Sequence, residues 1–201
     1  MIDYDSISKI TDAQLNALEI ARKLEQVGRL RAAVDKYILL GNQGLKLAFY
    51  RAASILEIGG GDLGVDLRMA AQYYELSGEV PEALLSLGRI YLEEENRDIG
   101  KAVDCYTRLS MANHPLSQVA HYRLGILLYL GGHEGKIDLV QAEYHFRIAA
   151  DMGNIWAKRA LATIAFSNGQ KLRGSLLVLK AMVVGTILGC LDRSNPRIRP
   201  G

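Results

Sequence analysis

Residues 120–157 read AHYRLGILLYLGGHEGKIDLVQAEYHFRIAADMGNIWA, and the fold is decided by this stretch. It divides into two helix-length segments joined by a turn that opens on Gly131 and Gly132. Gly125 falls in the middle of the first segment, where glycine costs about 1 kcal/mol against alanine. Its presence there calls for the close approach of a second helix. Asp138 followed by Gln141 has the spacing of a capping-box variant, able to satisfy free N–H groups of the second helix. Gly153 stands where a helix C-terminus takes a residue with positive φ. Helices this short draw most of their stability from packing, and two of them cannot cover each other's apolar faces. The unit therefore requires copies of itself.

The same order of residues recurs. It starts again at Ala83, with Leu87, Gly88, Tyr91, Asp98, Ala102 and Tyr106, and more weakly at Ala48, with Ala52, Ala53, Asp66, Ala70 and Tyr74. Ala157 opens a copy with Leu161, Ala162 and Phe166, and Ala13 one with Ala17, Gly28, Ala33 and Tyr37. Successive alanines lie 35, 35, 37 and 37 residues apart. A period of that size predicts an all-α fold, a right-handed α-solenoid of about five helix-turn-helix repeats of 35–37 residues. The units fall near 13–47, 48–82, 83–119, 120–156 and 157–191, with a tail at 192–201, and make one repeat domain over 1–201. Pro81 and Pro115 are expected at first helical positions, where a missing N–H costs nothing. Thr11 and Gln14 predict a capping box that starts the first helix. The second repeat predicts helices near 46–58 and 66–77, and Glu93-Glu94-Glu95 is expected to close the first helix of the third.

The net charge is +2, but residues 1–100 carry 11 basic and 16 acidic groups while 101–201 carry 13 and 6. A basic C-terminal half facing an acidic partner or a membrane is one reading of that gradient, and a solvated surface is the other. Lysine and arginine follow no single stripe, which argues against nucleic acid. Cys105 and Cys190 belong to separate repeats and predict buried thiols rather than a disulfide, which suits a reducing, cytoplasmic setting. The N-terminal residues lack the basic and apolar regions of a secretory signal. The glycine triplet at 59–61 has no phosphate-binding lysine after it. The four histidines lack zinc spacing, although His121 and His145 sit on facing helices and could meet. No nucleophile–base set is recognisable, so the chain is expected to be no enzyme and to need no metal or cofactor.

The pattern A-x-x-x-L-G-x-x-x-Y-x-G-G, loop, D-x-x-Q-A-x-x-x-F-x-x-A-A-x-x-G-x-x-x-A at 120–157 resembles the Sel-like repeat, a tetratricopeptide-like hairpin with a longer inter-helix loop. The resemblance extends over about residues 13–190. It implies an adaptor or scaffold for protein complexes and brings no catalytic residues. In stacks of this kind the first helix of each repeat lines a concave groove. By register, the groove positions are Tyr50, Arg89, Tyr122, Ile126, Tyr129, Trp156 and Arg159, with Ser54, Glu82, Leu92 and Phe166 beside them. These include the aromatic and arginine types that dominate interface hot spots. Residues 174–191 are apolar almost all round, where a terminal repeat should be polar outside. Leu179, Val183, Val184 and Ile187 are therefore expected to mediate self-association. The alternative is a membrane-peripheral assembly factor acting through that basic, apolar end, with membrane contact the less favoured reading.

Overall fold

The structure, a computed structural model, describes residues 10–132 and 135–167. Among them are nine α-helices and no β-strand: α1 Asp12–Gln26, α2 Leu30–Asn42, α3 Lys46–Ile58, α4 Leu67–Ser77, α5 Pro81–Ile90, α6 Ile99–Met111, α7 Ser117–Tyr129, α8 Leu139–Asp151 and α9 Ile155–Ser167. The fold is an all-α solenoid. The chain falls into two compact units, residues 1–102 and 103–201, with the boundary inside α6.

In the first unit each helix packs on the next, from α1 through to α5. The core is built from alanines at close approaches and large side chains between them. Ala33, Ala52, Ala53, Ala70 and Ala83 are fully buried, as are Tyr37, Tyr74 and Ile90. Ala48 and Ala83, two of the alanines that define the period, are buried as expected; Ala13, assigned the same role in the first repeat, is exposed, and Ala21 is the fully buried alanine of α1. The cause is the turn at Gly28. It is shorter than the later inter-helix loops, so a fixed step from Ala48 overshoots.

Helix ends follow from local chemistry. Thr11 and Gln14 form the full capping box at α1. Asp66, Asp98 and Asp138 repeat one device: the side chain accepts from the backbone of Met69, Lys101 or Gln141 at 2.8, 2.9 and 2.9 Å. The backbone N–H of each of these aspartates donates back to the end of the preceding helix, at Leu56, Tyr91 and Leu128. Each loop is thereby fastened at both ends. Pro81 starts α5 as expected. Pro115 does not start α7; it lies in a turn two residues ahead of Ser117, where the His114 Nδ1 accepts from the Leu116 N–H at 3.3 Å. Helix α5 ends at Ile90 rather than in the acidic run, and a 3-10 turn over Glu94–Asn96 follows.

The glycine triplet holds two loops together. A Cβ on Gly61 would lie 2.4 Å from the Gly28 carbonyl oxygen, so only glycine allows the contact. Helix α2 has no side-chain cap of its own. The carboxylate of Asp62, from the next repeat, accepts from the Arg31 N–H at 3.0 Å and fills that place.

In the second unit α7 packs on α8 and α8 on α9. Ala142, Phe146, Ala149, Ala150, Ala157, Leu161 and Ile164 form its core. A Cβ on Gly125 would sit 2.6 Å from the Phe146 ring, which is the close approach that a mid-helix glycine implies. Gly88, its counterpart in α5, is buried. Gly153 has φ 99°, which turns the chain out of α8. Cys105 is buried, as expected.

Candidate partner-binding surface

Two of the groove positions lie in the first unit. Tyr50 is half-buried on α3 and packs at a tilt against Tyr74, ring centres 5.9 Å apart. Burial, then the nearby Glu82 carboxylate, raises its phenol above the ordinary range. Arg89 on α5 forms an ion pair with Glu57 of α3 and a second with Glu93 at 3.4 Å. The other oxygen of Glu57 accepts from the Tyr74 hydroxyl. Arg89 is thus already engaged, tying the first helices of two successive repeats together.

That tie has a twin. Glu25 of α1 accepts from the Tyr37 hydroxyl at 3.0 Å and pairs with Arg51 of α3 at 2.6 Å. In both sets a carboxylate one residue short of a helix end receives a buried tyrosine of its own repeat and an arginine of the next. The tyrosine and glutamate are 12 residues apart in the first set and 17 in the second, and the longer glycine loop absorbs the difference. Burial first, and the carboxylate hydrogen bond second, raise the phenols of both Tyr37 and Tyr74. Sequence reasoning by repeat register missed these triads, because their arginines stand at different offsets from the repeat alanine. A usable signal was present: a tyrosine at a core position needs an acceptor for its hydroxyl, and the first two repeats each supply a glutamate, Glu25 and Glu57, near the end of the first helix.

The remaining groove positions lie in the second unit. Tyr122, Ile126 and Tyr129 of α7 are half-buried and pack against the α8–α9 core. Tyr122 meets Phe146 at 5.9 Å. Trp156 and Arg159 form a pair at the start of α9, with the guanidinium 5.0 Å from the centre of the indole ring. Arg159 is exposed and Trp156 half-buried, and the indole N–H is buried without a hydrogen-bond partner. Of the neighbouring positions, Ser54 and Leu92 are half-buried, and Glu82 and Phe166 are exposed. Leu179, Val183, Val184 and Ile187 lie outside the described residues.

Among the described residues no cluster of three or more His, Cys, Asp or Glu could hold a metal. No described helix is long and apolar enough to cross a membrane.

The Sel1 repeat family model matches residues 47–79, 81–114 and 118–154, together just over half of the chain. No curated protein matches the chain significantly. Several solved structures share the fold at low identity, among them the following three. A Sel1 repeat protein from Oxalobacter formigenes is 17% identical, with TM-score 0.63 over 84% of this chain and 75% of its own. A protective antigen of uropathogenic Escherichia coli displaying an SLR fold is 22% identical, with TM-score 0.60 over 84% of this chain. The match spans only 41% of that antigen's length. MamA is 16% identical, with TM-score 0.63 over 85% of this chain and 97% of its own. Sel1 repeat proteins are generally non-enzymatic scaffolds for protein interactions. With three matched repeats and the hairpins described above, the chain belongs to the Sel1 repeat family.

Proposed function

We propose that this chain is a non-enzymatic scaffold that seats a peptide or helix of a partner protein along its first-of-repeat helices, with α7 and α9 making the main contact. The observation that carries the reading is the exposed Arg159 guanidinium held over the Trp156 ring. Arginine and tryptophan are the side chains most often found to dominate interfaces, and cation–π stacking holds this pair in one arrangement before a partner arrives. Tyr122 and Tyr129, half-buried on α7, supply further aromatic surface. Tyr50 is the corresponding contact in the first unit. Arg89 contributes by holding α3 and α5 together rather than by offering a free charge. A reducing, cytoplasmic setting suits the buried thiol of Cys105.

The test is affinity capture with the intact chain, Arg159→Glu and Val140→Glu side by side. Val140 is exposed on α8, a helix that carries none of the groove positions. The proposal expects Arg159→Glu to lose specific partners that wild type and Val140→Glu both retain. Equal capture by all three would refute it.

A further inference from the structure

Repeats two and four are in register at a spacing of 72 residues. Tyr50 on Tyr74 and Tyr122 on Phe146 have the same geometry, ring centres 5.9 Å apart and planes at 46°. One residue earlier on each helix, repeat two stacks Phe49 on Tyr73 at 5.8 Å with planes 16° apart. Repeat four places His121 and His145 there. Two ordinary aromatic rings satisfy packing at this place, so the imidazoles bring a property that packing does not require.

That property is a shared proton. The two Nδ1 atoms are 3.0 Å apart and the ring centres 5.3 Å apart. The centre-to-centre distance equals the nitrogen separation plus one ring radius on each side, so the nitrogens point at each other. This is the geometry of an N–H···N bond. A metal held by both nitrogens would sit off that line and draw the centres closer together. In the neutral pair one Nδ1 carries the hydrogen and the other accepts it.

We propose that His121 and His145 form a proton-gated latch, which holds α7 against α8 while one proton lies between the two Nδ1 atoms and releases when both carry one. The first added proton goes to the free Nε2 of the donating ring. It leaves the bond intact and makes it charge-assisted. The second can go only to the accepting Nδ1. Two N–H groups and two positive charges then face each other, and the helices must part.

Burial lowers both imidazoles below their ordinary range, and the charge of His121 lowers His145 further. Other titratable and charged groups stand on the packed helices. Tyr144 meets His145 edge-on at 5.3 Å, and Arg147 pairs with Glu143 at 2.7 Å. Tyr122, Arg123 and Tyr129 on α7, Asp151 on α8, and Lys158 and Arg159 on α9 complete the set. None of them adds to burial and the paired ring in shifting the two histidines. With folded-state values depressed, the folded chain binds fewer protons than the unfolded one. The folded state therefore loses stability as pH falls below 6.5, and the latch itself gives way when the second proton is bound.

The test uses the intact chain and two readouts. Nitrogen chemical shifts of the imidazoles, followed by NMR from pH 8 to 5, should show one ring with hydrogen on Nδ1 and the other with hydrogen on Nε2. Protons should be taken up in two steps, the second well below the first. Melting temperatures over the same range compare wild type with His121→Phe/His145→Tyr, which copies the pair of repeat two. Wild type should lose at least roughly 2–4 °C more than the variant between pH 7 and 5. Independent titration of both rings near their ordinary value, or parallel melting curves, would overturn the proposal. Should the variant fail to fold, the NMR titration of wild type decides alone.

Discussion

The Cβ that Gly125 lacks would stand 2.6 Å from the Phe146 ring, so α7 and α8 approach as closely as they do only because this residue has no side chain. Phe146 is 1% exposed and has no room to withdraw. Alanine here gains about 1 kcal/mol of helix propensity, but overpacking costs about 1–3 kcal/mol. We expect Gly125→Ala to lower the melting temperature and Gly125→Leu to lower it further. Gly125→Ala combined with Phe146→Leu should recover part of the loss. Additive effects of the two substitutions would show that the ring is not what the glycine accommodates.

The tyrosine–glutamate–arginine triads make a second prediction. Removing the Tyr74 hydroxyl leaves Glu57 with Arg89 alone and costs about 1–2 kcal/mol as Tyr74→Phe. Tyr37→Phe should act in the same direction. The sign of the pH effect follows from the raised phenols: their contribution is complete below about pH 10 and is lost as pH rises above it. Denaturant unfolding at pH 7 and pH 10.5 measures both. Tyr74→Phe should narrow the gap between the two midpoints, and an unchanged gap would contradict the assignment.

Asp62 makes a third prediction. Its carboxylate, held below the usual range first by the Arg31 backbone N–H, caps a helix of the preceding repeat. Asp62→Ala should speed amide hydrogen exchange at Arg31 and leave exchange at Met69 unchanged, because Asp66 caps that helix separately. Equal protection of Arg31 in wild type and variant would show that the cap is not formed.

The hairpins were legible in the sequence because their signals are local. Glycine in mid-helix, aspartate three residues ahead of a backbone donor and alanine at a fixed step each report their own few neighbours. The residues predicted for the helices near 46–58 and 66–77 match α3 and α4 to within a residue. Ala13 misled because a period carries no information about one shortened turn. Pro115 misled because its own residue type suits both a turn and a first helical position. Arg89 was placed on the right helix, but its role depends on Glu57, 32 residues away. Pairings at that distance, including Asp62 with Arg31 and Glu25 with Arg51, are set by how repeats stack and leave no local pattern.

The partner-binding face is tested most directly by site-specific photo-crosslinking in cells, with a photoreactive amino acid placed at Arg159 in one variant and at Val140 in another. Both positions are exposed, so neither should disturb the core. The account predicts a discrete crosslinked protein from position 159 and none of that species from position 140. A partner captured only from position 140 would contradict it and move the interface to the outer helices.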